Sequence, residues 1–270
     1  MRRSGLMMVA ASVLLTGCAP ASPVPSPTSD PTPASADLTA TTIPTGTLFA
    51  PAELGTDERQ EWLDRLARVA TILETTDLGA LDADWDGRLT LELPADAAGY
   101  AALAGSGGQQ SAAVTRCSDG ASRITLNPRV GSLEAGYLDT LLLHEAVHAA
   151  TGSACTDRPL WIEEGLAEWL AIQHDPTARG ANQEWLDHHL ATSGVPTGMP
   201  ADRQFEGTAA QLSEAYALAT FAVTTTIEHL GTDAAMAYFA EPDAETTGRS
   251  AAWYLAALRA QYEPEADSGG

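Results

Sequence analysis

The sequence predicts an α+β domain that is mostly helical. Two observations carry this expectation. Four long stretches, around 57–76, 133–152, 158–173 and 210–231, repeat apolar residues at helical spacing. Three short stretches, 87–93, 111–117 and 121–127, read instead as strands bounded by turn residues.

The chain opens with Arg2 and Arg3, followed by an apolar run from Leu6 to Thr16. That run is shorter than the roughly 20 helical residues a bilayer requires, so residues 1–17 read as a signal segment. Its end, Leu15-Thr16-Gly17-Cys18, resembles the lipobox of bacterial lipoproteins. The resemblance implies cleavage before Cys18 and lipid on that cysteine. The plainer reading is an ordinary secretory signal in which Cys18 carries nothing. Residues 18–47 are rich in Pro, Ser, Thr and Ala and poor in large apolar side chains. They cannot bury a core and read as an extended tether. The expected domain spans 48–263, and 264–270 read as a frayed tail. The domain is expected on the outer face of the cell membrane, anchored by lipid.

Charge excludes one class of partner. The chain holds 36 acidic and 14 basic residues, and every basic residue is arginine. Such a surface repels phosphate backbones, so no nucleic-acid partner is expected. Besides Cys18 the chain has Cys117 and Cys155. In an oxidising compartment two remaining cysteines pair, and a disulfide is the favoured reading. The alternative makes Cys155 a metal ligand.

The elements follow in order. Trp62, Leu66, Val69, Ile72 and Leu73 give 57–76 an apolar stripe and hence an amphipathic helix. GRLTLEL, 87–93, alternates as a strand does, and Pro94 ends it. A short helix is expected over 95–103, then a flexible turn at GSGGQQ, 105–110. Strands 111–117 and 121–127 meet at an Asp119-Gly120 turn, with Asn127-Pro128 closing the second. LEAGYLDTLLLHEAVHAATG is helical, and Gly152 is a natural stop. Pro159 starts the next helix, where Trp161, Ile162, Leu166, Trp169 and Leu170 form a stripe. AQLSEAYALATFAVTTTIEHLG is a long helix ending at Gly231. Trp253, Tyr254, Leu255 and Leu258 read as core positions of a final helix. His174, His188 and His189 read as loop or surface residues.

The chemistry centres on His144-Glu145-Ala146-Val147-His148. Residues four apart sit one turn apart on the same helix face, so His144 and His148 can hold one ion together. The surrounding leucines and alanines make the segment apolar nearly all round, which argues for burial. A buried His-Glu-His cluster without a metal is hard to satisfy. A catalytic zinc site needs three protein ligands and a position for water, with a base to accept that water's proton. Glu145 is the candidate base. Glu164 and Glu168 share a face of the next helix, and fifteen residues separate His148 from Glu164, enough for a turn back. One carboxylate can bind the ion, and the other can orient a ligating histidine through its second ring nitrogen.

HEAVH followed by WIEEGLAEW resembles the gluzincins, zinc peptidases whose third ligand is a glutamate on a second helix. WIEEGLAEW is similar to the W-x-x-E-G-x-A-E/S signature of their aminopeptidase-like branch. The resemblance implies His144, His148 and Glu164 as zinc ligands and Glu145 as general base, with Glu163 the competing ligand. It covers residues 120–172. The chain has no G-x-M-E-N segment, the element that binds peptide N-termini in that branch, so exopeptidase action does not carry over. The closer likeness is to minimal peptidase MA-like domains, which many bacterial lipoproteins carry. Such domains often show a Tyr on a later helix followed by small residues and a Phe, and Tyr216 with Phe221 fits loosely. A phenol there can hydrogen-bond the oxyanion. A core tyrosine is the competing reading, and His229 is a second candidate for that role.

The expectation is thus a zincin-like metallopeptidase domain with a small sheet above the active-site helix and one zinc ion in the cleft below. It would hydrolyse a peptide or protein substrate by attack of a zinc-activated water. The alternatives are a non-catalytic zinc-containing module of the cell envelope and a zinc hydrolase of a non-peptide bond. An intact Glu145 favours hydrolysis, since a purely structural site needs no base.

Overall fold

A computed structural model describes residues 38–262 except 77, 79–80, 82–84, 106–110 and 119. The signal segment, Cys18 and the tail fall outside the described residues, as do 106–110 of the expected flexible turn. The chain is α+β and mostly helical, as the sequence predicts.

Five strands form one sheet: β1 (Leu38–Ile43), β2 (Gly46–Pro51), β3 (Leu89–Glu92), β4 (Ala113–Ser118) and β5 (Ala121–Leu126), in the order β1-β2-β3-β5-β4. The two outer pairs are antiparallel and the inner pairs parallel. β1 corrects a domain boundary. Regular structure is already present at Leu38, inside the segment read as tether and ahead of the expected start at Leu48. LTATTI looks like linker by composition, but threonine and isoleucine are β-branched and suit an edge strand whose outer face meets water. Gly120, with φ +77°, makes the β4–β5 turn.

Period-two alternation sorts the sheet into faces. Leu48, Leu91, Ile124 and Thr115 lie side by side across four strands and point inward. Against this face pack α1 (Thr56–Thr76), through Leu66, Val69 and Leu73, and α3 (Ala135–Ala150). Arg65, almost fully buried on α1, donates to Asp139 and to Ala135 O on α3, which sets the two helices against each other. The short α2 (Ala97–Ala104) is capped by Asp96, whose side chain accepts from Gly99 N.

α3 stops at Thr151, and Gly152 follows in the left-handed region at φ +62°. The chain turns back into α4 (Leu160–His174), which packs on α3. Behind α4 lies α6 (Ala209–Leu230), buried over most of its circumference, with α5 (Pro176–Ser193), α7 (Thr232–Ala240) and α8 (Ala244–Tyr262) around it. Tyr254 and Leu258 of α8 are fully buried, while Trp253 and Leu255 are half-buried. No helix among the described residues is long and apolar enough to cross a membrane.

Two helices went unassigned from sequence. α5 carries His188, which is on the surface as His174 at the end of α4 is, and His189, which is part-buried against Glu214. The start of α5 was nevertheless signalled: Asp175 caps Thr177 N and Ala178 N, and Pro176 holds the first helical position. α7 follows Gly231 directly and buries Met236 and Phe239.

Candidate metal centre

α3 brings its chemistry into the core. Every residue from Leu141 to Ala150 is buried, so His144 and His148 are removed from water along with their apolar neighbours. The return into α4 places Glu164 opposite them, 1% exposed. Three ligand atoms converge. His144 Nε2 and His148 Nε2 are 3.2 Å apart, and Glu164 Oε2 lies 3.3 Å from each. Tetrahedral bonds of about 2.0–2.1 Å to nitrogen and oxygen put ligand atoms about 3.3–3.4 Å apart, which matches all three edges. Glu164 Oε2 is also buried without a well-aligned donor. Two imidazole nitrogens and a carboxylate oxygen, dry and equidistant, fit one divalent cation, and His144, His148 and Glu164 form the one such cluster among the described residues.

The electrostatics agree. Burial alone would raise the Glu164 pKa. The imidazoles of His148 and His144 outweigh it and hold the carboxyl far below its usual range. Burial likewise opposes charge on His144, but Glu164 and Glu168 overcome it and push its pKa up to about 10.

The other ring nitrogens are steered. His144 Nδ1 faces Glu168 Oε2 at 3.4 Å, as the shared face of Glu164 and Glu168 suggested. His148 Nδ1 lies 3.0 Å from Ser153 Oγ in the turn after α3. The His148 contact is a hydrogen bond, whereas the His144–Glu168 contact is a charge contact without hydrogen-bond alignment, and both rings present Nε2 to the centre. Glu163 points elsewhere. Its carboxyl faces Arg158 Nε at 3.8 Å and Thr156 Oγ1 at 3.5 Å, and burial pushes its pKa up to about 8. It is not part of the cluster.

Glu145 is 4% exposed, and its Oε2 accepts from Thr115 Oγ1 at 2.7 Å. Tyr216 stands edge-on to His144, with ring centroids 6.0 Å apart, and Phe205 backs it at 5.7 Å. Phe221 packs on Tyr254 instead, away from the centre. His229 is no rival to Tyr216. Its ring stacks on Trp253 at 4.8 Å, and its Nδ1 pairs with Thr225 O. Cys155 is not a metal ligand, because Cys117 and Cys155 form a disulfide with Cα atoms 5.1 Å apart. Thr115 and Ser153 were not legible in sequence, since nothing there says which strand or turn faces which side of α3. No protein-family profile, curated protein or solved structure matches the chain.

Proposed function

We propose that this protein is a zinc-dependent peptidase of the gluzincin type, a minimal peptidase MA-like domain held by lipid on Cys18 outside the cytoplasm. The observation that carries the reading is the triangle of His144, His148 and Glu164 with a carboxylate, Glu145, next to it in the chain. A two-nitrogen, one-oxygen donor set in near-tetrahedral spacing suits zinc. When bound, zinc leaves a position for water, brings that water's pKa near 7 and polarises a carbonyl.

The chain's own residues supply the rest. Glu145 accepts the proton of the attacking water as its oxygen joins the carbonyl carbon. The same carboxyl then gives that proton to the departing amine nitrogen as the C–N bond breaks. Glu168 and Ser153 hold the ligating rings in orientation. Tyr216, beside His144, is the candidate donor to the oxyanion. The signal segment and lipobox-like Leu-Thr-Gly-Cys support an extracytoplasmic location, and the Cys117–Cys155 bridge suits an oxidising compartment.

The test compares the parent with Glu145→Gln. We expect equal zinc content and equal melting temperature, with cleavage of a mixed peptide library reduced by at least about a hundredfold, the usual scale of a lost acid–base group. Loss of zinc in Glu145→Gln would show that Glu145 holds the site together and would overturn the assigned roles.

A further inference from the structure

Glu145 lies on α3, but what fixes its carboxylate comes from the sheet. Thr115 points inward from β4, and its hydroxyl lies 2.7 Å from Glu145 Oε2 and 3.0 Å from Glu145 O. Both residues are buried, Thr115 at 5% and Glu145 at 4% exposure. A hydroxyl has one hydrogen, and the shorter contact to the charged oxygen takes most of it. The terminal torsion of a glutamate is broad, so without a partner the carboxylate samples many orientations. Threonine is stiff about χ1, so its hydroxyl is a fixed point.

β4 is itself fixed. Cys117 follows two residues after Thr115 on the same face of the strand, and its bridge to Cys155 joins β4 to the turn after α3. The edge strand is thus attached at Glu145 to α3 and, through the disulfide, to the turn that follows α3.

We infer that Thr115 is a positioning residue for Glu145. It fixes one carboxylate oxygen, Oε2, and with it the orientation in which the carboxylate meets the attacking water. This inference rests on the peptidase reading above for its kinetic consequence, but not for the contact. The hydrogen bonds of Thr115 go to Glu145 and not to His144, His148 or Glu164, so its removal should leave metal binding intact. A hydrogen bond to a charged group carries about tenfold to a hundredfold in an equilibrium or a rate. Losing it lowers kcat by about that factor, because fewer bound substrates meet a correctly turned carboxylate. KM stays within about twofold.

The experiment uses the folded, zinc-loaded protein and its Thr115→Val and Thr115→Ser variants, with Thr115→Ala repeating the test should valine disturb the strand. High-resolution structures of each read the carboxylate directly, whatever the activity. We expect one orientation of Glu145 in the parent and in Thr115→Ser, and a rotated or split carboxylate in Thr115→Val. Zinc content stays equal throughout. On whichever library peptide the parent cleaves fastest, kcat falls in Thr115→Val and returns to within about threefold in Thr115→Ser. A carboxylate that keeps its place in both Thr115→Val and Thr115→Ala overturns the inference, as does an unchanged kcat in either. A parent that cleaves no peptide sinks the peptidase reading instead, and the position of the carboxylate still decides the contact.

Discussion

Replacing Gly165 with alanine should destabilise the protein, although alanine is the better helix former. Gly165 follows Glu164 on α4, where α4 meets α6. A Cβ built there would lie 2.6 Å from Ala219 O, 2.8 Å from Ala219 C and 2.8 Å from Val223 Cγ2. Ordinary contact begins near 3.4 Å, so the helices must part by about 0.6–0.8 Å at this point. Two of the three atoms are backbone and cannot turn aside. Overpacking of this kind costs about 1–3 kcal/mol, and the rigid neighbours place it toward the upper end. The gain in helix propensity returns about 1 kcal/mol. The net loss is about 1–2 kcal/mol, or about 2–8 °C in Tm for a domain of this size. Gly180 on α5 has nothing within 4 Å of a built Cβ. The same substitution there meets no clash and should raise Tm by up to a few degrees. Thermal unfolding of both variants under identical metal loading tests the pair. If Gly165→Ala melts at or above the parent, helix propensity outweighs the clash and the reasoning fails.

Metal binding should release about one proton near pH 7.5, because His144 is raised from 6.5 to about 10 in the metal-free chain. The sign follows from that shift. The stabilisation of the metal-free fold by protonated His144 is fully present below pH 6.5 and lost as pH rises through about 10, and across that window apparent metal affinity rises with pH. Calorimetry in two buffers of different ionisation enthalpy reads the proton, and binding without release would refute the assignment. Removing the disulfide through Cys117→Ser and Cys155→Ser opens a loop of 38 residues. The chain-entropy account gives about 4 kcal/mol for that loop, so an unchanged denaturant midpoint would show that the bridge constrains little. Cys18→Ser should leave the protein unprocessed or free it from membranes, as the Leu-Thr-Gly-Cys stretch suggests. A variant that stays membrane-bound at the parent's mature mass would rule out the lipid anchor.

How far the molecule can be read from its letters depends on what each feature is made of. The long helices are legible because their apolar stripes repeat within one stretch of chain, and α1 and α6 lie within a residue of their expected ends. The candidate metal cluster is legible for a related reason. His144 and His148 are fixed by one helical turn, and Glu164 by one helix following another. β1 is not legible, because an edge strand has water on one side and shows the composition of a linker. α5 hides behind a polar surface, although Asp175-Pro176 marks its start. Contacts that depend on how elements pack leave no local trace. Thr115 meets Glu145 across 30 residues of sequence, and Ser153 reaches His148 only because the chain turns sharply at Gly152.

The Cys117–Cys155 bridge joins the two shoulders of the centre. One end lies two residues from Thr115, which meets Glu145, and the other two residues from Ser153, which meets His148. His144, His148 and Glu164 are placed by α3 and α4 without help from the bridge, whereas the bridge ties together the strand and the turn that flank them. On the peptidase reading proposed above, a chain with free thiols would collect its ion before its base is held, and forming the bond would complete the site only in oxidising surroundings.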